Sequence, residues 1–354
     1  MKTYRMQLEL RSAIATPLAA DTLWGHIAWG IRWRDGESAL RRWLERYDAG
    51  DPPLVLGDPL PAGFFPRPAL PPPPRPDVTE VDKADTLKDM AKAEWLSGKV
   101  WDAISANLSP VSLWSALTTA YEAAKKNRGN SAGDSAAGPP KILEDAVTHA
   151  AINRFTGGTA QSAGGTLFTV EWFWYALPRA RFDVWILSPE DPALIRRWFE
   201  DGLAGGYGRD GSTGRGHLIV ADLVEQTLPA VPGANAVVLL GPAVPRPADP
   251  ARGFFNFGVR CGRLGGNFAI GPLPDGTTGR QKRPLRCLLR GSTLICNGTP
   301  PATVGRIVAG VHDLPQIRHY GIAPALPCRV DDSIIGDALD HACEQTGKAE
   351  VSSS

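Results

Sequence analysis

Residues 202–217 read GLAGGYGRDGSTGRGH, with Tyr207, Arg209, Asp210, Ser212, Thr213 and Arg215 set among seven glycines. Glycines let a backbone approach a ligand closely, and exposed N–H groups beside two guanidiniums bind phosphate without reading bases. Gly206-Tyr207-Gly208-Arg209-Asp210-Gly211 satisfies G-x-G-x-x-G, the dinucleotide fingerprint. That fingerprint works when a strand enters the loop and a helix leaves it, so that the positive helix end meets the pyrophosphate. Here DPALIRRWFEDGLA, a helical pattern, enters, and HLIVADLV, a strand pattern, leaves. The helix end at residue 203 is the negative one, which excludes a Rossmann site. A phosphate loop of the G-x-x-x-x-G-K-[ST] kind fails because no lysine precedes Ser212, and a kinase loop fails because the chain has no H-R-D or D-F-G. Two readings remain for the run: a grip on a sugar-phosphate backbone, or a mobile surface loop with incidental arginines.

Other reactive residues are scattered. His26 is a candidate general base because it falls in the first helical segment, but His149, His217, His312, His319 and His341 form no cluster. No carboxylate pair or ligand spacing points to a metal, and no cofactor is expected. Five cysteines, Cys261, Cys287, Cys296, Cys328 and Cys343, show no C-x-x-C pair and read as reduced core thiols of a cytoplasmic protein. Net charge is only +1, yet Arg252 to Arg290 holds eight basic residues against the single acid Asp275. Such a stretch suits an anion or a solvated strand face balanced by acids folded nearby.

The elements that must position these residues are legible from pattern. MKTYRMQLEL alternates like a strand, and DTLWGHIAWGIRW reads as a helix capped by Asp21. ALRRWLERYDAG is a second helix ended by Gly50. Residues 51–76 are proline-rich and should run extended over the surface. Residues 77–126 form a helical insertion whose 83–105 segment presents Trp95 and Trp101 to a partner or buries them. Residues 127–140 have linker composition. GTLFTVEWFWYAL and RFDVWILS read as strands, Asp191 and Pro192 open the next helix, and the second half is a series of short strands. At 354 residues with 43% hydrophobic and 21% charged content, the chain has room for two globular units, and no apolar run is long enough to cross a membrane. The start has polar and charged residues where a secretory signal needs an apolar run.

Four further segments, TPLAADTLWGHIAWGI, GDPLPAGFFPRPALP, HAAINRFTGGTAQSAGGTLF and RHYGIAPALP, occur in order along the chain. Together with the helix–glycine loop–strand, they resemble the RAMP superfamily of CRISPR-associated proteins, and within it the subunits that cap the crRNA 5′ end in type III-A (Csm) complexes. Two departures are visible: Asp210 sits inside the glycine loop where relatives carry basic residues, and Ala150 follows His149 where relatives often have asparagine.

The resemblance implies an α+β fold of two ferredoxin-like (RRM-related) domains, the second mostly β and elaborated. They would span 1–228 and 235–330, with a flexible tail over 331–354. It implies a non-catalytic subunit whose partners are the crRNA, a large polymerase-like subunit (Cas-ten type) and a backbone RAMP subunit (Csm subunit three type), with target RNA met indirectly and no membrane. Gly205, Gly206, Tyr207, Gly208, Arg209, Ser212, Thr213, Gly214 and Arg215 would hold the 5′ handle. Asp21, Thr22, Trp24 and Gly25 would stand at a helix N-terminus open to phosphate, although a plain cap and a core tryptophan fit Asp21 and Trp24 as well. Asn153 and Arg154 would lie by the same RNA, and Arg260, Arg263, Lys282 and Arg283 would continue the track. The alternative is a metal-independent endoribonuclease that cuts precursor crRNA with His26.

Overall fold

The computed structural model describes residues 1–72, 92–128, 142–150, 152, 158, 167–175, 180–269 and 279–335. The first strand, Lys2–Leu10, alternates so that Tyr4, Met6, Leu8 and Leu10 point into the core. It pairs antiparallel with Ala180–Ser188 on one side and with Leu218–Glu225 on the other. Val55–Leu56 and Leu60–Pro61 add to the far side of Ala180–Ser188. Chain order is therefore strand, helix, strand, strand, helix, strand. The helix Ala20–Asp35 makes the first crossover and Pro192–Leu203 the second. Leu23, Ile27 and Ile31 of one helix and Ile195, Phe199 and Leu203 of the other are buried with Tyr4, Met6 and Leu8, so both cover the same sheet face. Glu37–Asp48 adds Trp43 and Tyr47 to this core.

The two crossover helices touch through glycine. A Cβ on Gly30 would lie 2.7 Å from the Gly202 nitrogen, and one on Gly202 would lie 2.9 Å from the His26 carbonyl oxygen. Gly202 thus belongs to helix packing rather than to the loop that follows. Gly202→Leu should cost at least about 1–3 kcal/mol through overpacking, seen as a lower urea midpoint. Gly25, with nothing within 4 Å of an added Cβ, is the matched control. Gly25→Ala should leave stability unchanged or raise it by up to about 1 kcal/mol through helix propensity.

The second sheet has the order Arg252–Phe254, Thr293–Ile295, Ala236–Leu239, Ile322–Cys328, Thr303–Gly305, every pair antiparallel. Among the described residues between Ala236 and Cys328 there is no α-helix, only the short turn Gly266–Ala269. Two-stranded ribbons join Phe257–Arg260 to Leu285–Leu288 and Ile142–Ala150 to Leu167–Tyr175. The sheets share core: Trp185 packs in one cluster with Val238, Leu240 and Leu326. The Tyr320 hydroxyl reaches across, accepting from the Leu56 N–H at 2.8 Å and donating to its carbonyl at 3.0 Å.

Several expectations need correction. The proline-rich segment does not stay on the surface, because Leu54, Val55, Leu56 and Leu60 are fully buried where the chain adds its outer strands. Prolines at 53, 59 and 61 fit because such edges need few ladder N–H groups. Of the two outcomes left open for the tryptophans of the 83–105 segment, Trp101 is completely buried, and Trp95 is half-buried under Arg290, 4.7 Å from the guanidinium. Residues 83–91 lie outside the described residues, as do 129–140 of the linker and 336–354 of the tail. Cys287, Cys296 and Cys328 are buried free thiols as expected, but Cys261 is exposed, and Cys343 lies outside the described residues. No helix among the described residues is long and apolar enough to cross a membrane.

Candidate nucleic-acid interface

Asp191 caps the second crossover helix, its Oδ1 accepting from the Ala193 N–H at 2.8 Å, and Pro192 occupies the first turn. The helix ends at Leu203, the chain winds through a short 3₁₀ turn at Gly211–Thr213, and the strand Leu218–Glu225 leaves. Helix in and strand out is the order the sequence predicts. The mobile-loop reading fails on the hydrogen bonds. Tyr207 N–H donates to Gly216 O at 2.8 Å, and Gly216 N–H to Ala13 O at 2.8 Å. Gly208 N–H donates to His26 Nε2 and Arg209 N–H to Thr16 Oγ1, both at 2.9 Å. The Tyr207 hydroxyl accepts from Ala19 N–H at 2.9 Å and donates to Pro17 O at 2.8 Å, and its ring is fully buried. Two glycines are required by this winding. Gly216 has φ of +63°, and an added Cβ would sit 2.1 Å from the Tyr207 carbonyl oxygen. Gly208 has φ of +71°, and an added Cβ would meet Thr16 at 2.6 Å.

Every one of these external anchors falls between Ala13 and His26. The glycine loop and the TPLAADTLWGH segment are therefore one structural unit, not two motifs that happen to be near. Gly205, Arg209, Ser212, Thr213 and Gly214 remain exposed on it. Arg209 has 52% of its side chain in solvent, with Asp210 only 3.7 Å away. Arg215 is half-buried, its guanidinium carbon 3.3 Å from the centre of the Trp172 ring.

The N-terminus of the first helix is not open as expected. Asp21 does not cap it; the cap position is Ala19, which has no side-chain acceptor. Three of its N–H groups are taken: Ala19 by the Tyr207 hydroxyl, Ala20 by Asp58 Oδ1 at 2.8 Å, Thr22 by Asp21 Oδ1 at 2.9 Å. Asp58 is the residue that sequence reasoning missed. It is 1% exposed and ion-paired to Arg290 at 3.2 Å. Burial raises its pKa, while Arg290 and the Ala20 N–H oppose the rise. Its signal was present in Gly57-Asp58-Pro59, but nothing local says where that carboxylate points. Trp24 is core: it stacks on Tyr320 at 5.6 Å and meets Trp43 and Tyr47. Gly25 lies on the partly exposed side of the helix.

His26 is engaged within the fold. Its Nε2 already accepts the Gly208 N–H, and burial pushes its pKa down to about 4, against a weaker opposing hydrogen bond to the Gly202 backbone. An unfolded imidazole titrates at 6.5, so as pH falls from 6.5 to about 4 protons bind the unfolded chain preferentially. Stability of on the order of 3 kcal/mol, present above that window, is lost through it. His319, pushed down to about 3 chiefly by burial and then by Lys282 and Arg260, acts in the same sense. Chemical denaturation of His26→Gln between pH 7 and 4, a range set about the imidazole pKa, should therefore show a shallower pH dependence than the parent, not a flat one.

Arg260 and Lys282 come to the same helix end. Arg260 Nε is 4.0 Å from Asp21 Oδ2. Lys282 Nζ donates to Arg318 O at 2.8 Å, and burial lowers its pKa to about 8, partly offset by Asp21. Arg263 is exposed, its backbone bridged to Gln281, and Arg283 is engaged by Asp313 and by the Gly310 carbonyl at 2.9 Å. Asn153 and Arg154 lie outside the described residues. A groove of about 1240 Å³ has Asp58, Arg260 and Arg290 in its wall, together with Phe255 and Trp114.

The sheet face away from the helices offers no aromatic platform. Arg5 pairs there with Asp183 at 3.5 Å, and Arg181 and Arg11 pair with Glu9 at 3.7 and 3.2 Å. Trp185, on the same face, is only 4% exposed and packs on Phe65. Any RNA bound by stacking on bare sheet aromatics would find none at this surface.

No family model and no curated protein matches the chain. Among solved structures it is similar to a chain of a Csm1–Csm4 cassette in complex with pppApA, at 15% identity over 94% of this chain and 100% of that one, with a TM-score of 0.49. It is also similar to a chain of the Csm3–Csm4 subcomplex in the type III-A CRISPR–Cas interference complex, at 13% identity over 92% and 99%, with a TM-score of 0.49. A third is a chain of type III-B Cmr-beta bound to cognate target RNA and AMPPnP, at 12% identity over 82% and 86%, with a TM-score of 0.39.

Proposed function

We propose that this chain is a non-catalytic RNA-binding subunit of a type III CRISPR effector ribonucleoprotein, one that grips the 5′ handle of the crRNA. One observation carries the reading: the glycine loop is tied to the TPLAADTLWGH segment by a set of hydrogen bonds, the one from Ala19 N–H to the Tyr207 hydroxyl buried, while Arg209, Ser212 and Thr213 stay exposed on its rim. A backbone held in that way presents hydroxyls and a guanidinium at no further cost of ordering, which suits phosphates of a single strand. The strand–helix–strand–strand–helix–strand order of the first unit supports a ferredoxin-like domain over 1–228, with 235–330 as a second, strand-built domain and 331–354 as a tail. Arg260 and Lys282, near Asp21, would extend the path. A large polymerase-like subunit and a backbone subunit would flank the chain, with target RNA reached through the crRNA.

The engaged, neutral His26 speaks for binding over cleavage. Purification of the protein from cells that carry a CRISPR array tests the reading. A defined small RNA with a repeat-derived 5′ end should copurify, and labelled repeat RNA incubated with the protein in EDTA should stay intact. An RNA-free preparation with no affinity for the handle would sink the proposal, and a specific metal-independent cut would replace it with the nuclease.

A further inference from the structure

We infer that the ribbon Ile142–Ala150/Leu167–Tyr175 carries a stacking platform for the nucleobases of a single strand whose phosphates lie on the glycine loop, an inference that rests on the RNA-binding reading above. Side chains two apart on a strand share a face, so Phe168, Trp172 and Trp174 line one side of this ribbon. The register sets His149 directly opposite Phe168. Their rings stack at 5.5 Å with 17° between planes, and His149 meets Trp172 edge-on at 5.7 Å. Phe168 and Trp174 nonetheless keep 45% and 41% of their surface in solvent. The Arg215 guanidinium lies over this row, 3.3 Å from the centre of Trp172 and 5.9 Å from that of Trp174. Among the described residues no carboxylate is paired with it.

An exposed aromatic row carrying a planar cation that forms no ion pair among the described residues, although Asp145 stands opposite Trp172 on the ribbon, suits a ligand that brings both a π-face and a negative charge. A nucleotide strand brings both at each step, and every base has the required face. Arg215 belongs to the glycine loop itself, so the platform is continuous with the surface assigned to the phosphates. A duplex does not fit, because its bases are already stacked on one another. Arg215 would thus join the two halves of the interface, facing a base with its plane and a phosphate with its edge.

The full-length protein, alone or in its complex, should be titrated with a short oligoadenylate and with an abasic strand of the same length. The base-bearing strand is expected to bind about tenfold more tightly, the scale of one aromatic–base contact. Trp174→Ala should erase that preference and leave the abasic affinity unchanged, whereas Trp174→Phe should keep most of it. A 2-aminopurine base in the strand should lose fluorescence on binding to the parent and not to Trp174→Ala. Equal affinity for the two strands, or a preference that survives Trp174→Ala, would overturn the platform and leave the aromatic face to a protein partner. The two readings fail separately. If Arg209→Ala weakens abasic binding while no base preference exists, only the platform falls; if neither strand binds, both fall.

Discussion

Tyr207→Ala should destabilise the protein by about 3–5 kcal/mol, the range for deleting a buried aromatic ring, and should abolish RNA binding at temperatures where the fold survives. The ring is fully buried beside His26, at 5.4 Å, and its hydroxyl is the bridge that accepts from Ala19 and donates to Pro17. Removing it opens a cavity, leaves a helix N–H and a carbonyl without partners, and frees the loop from its anchor. Tyr207→Phe separates these effects. It keeps the packing and loses only the bridge, so about 1–3 kcal/mol should go, with RNA affinity falling in step with loop order. Urea titration followed by tryptophan fluorescence measures the first quantity, and filter binding the second. A Tyr207→Ala protein that unfolds at the parental midpoint would show that the loop is not tied to the first helix.

Arg209→Ala together with Arg215→Ala should produce the largest loss in affinity for single-stranded RNA, a few kcal/mol in total if each charge-assisted contact contributes about 1–3 kcal/mol. Folding should change little through Arg209, which is exposed and, among the described residues, pairs with its neighbour Asp210. Arg215 leaves Trp172 uncovered, a loss of about 0.5–2 kcal/mol of cation–π contact. The signature that separates lost phosphate contacts from a damaged fold is the salt dependence. For single strands the logarithmic slope is about 0.7 per phosphate, so loss of two contacts should flatten the plot of affinity against salt by about 1.4. Unchanged affinity and slope would remove the loop from the RNA path.

Much of the site was legible as residue type, because local chemistry dictates local shape. Asp191 and Pro192 had to start a helix. Glycines at 208 and 216 allowed the close approach and positive φ that the loop uses, and the pattern after His217 had to be a strand. The order helix–loop–strand, and with it the mismatch to a dinucleotide-binding loop, followed from the chain alone. The strand Ile322–Cys328 was not legible as a strand, since Pro324 and Pro327 argue against an interior position. It stands in the middle of the second sheet because its short neighbour Thr303–Gly305 pairs no further than Pro324, leaving Pro327 with one partner strand and no N–H missing from the other side.

Which groups stay available for a ligand was a tertiary outcome. From sequence, Asp21 caps a helix whose N–H groups await a phosphate, and the proline-rich segment lies outside. In the fold that segment turns inward and delivers Asp58, which lies 38 positions beyond Ala20, to the Ala20 N–H; Tyr207, from the far end of the unit, takes the preceding one, on Ala19. Arg215 likewise acquires its aromatic bed from a ribbon that no local pattern links to it. Composition and periodicity determined what each element is and which way the glycine loop runs. Only the closing of distant segments on one another decided which donors are spent on holding the molecule together and which are left for a ligand, because a hydrogen-bonding group's capacity is exhausted by whichever partner the fold brings within about 3 Å of it.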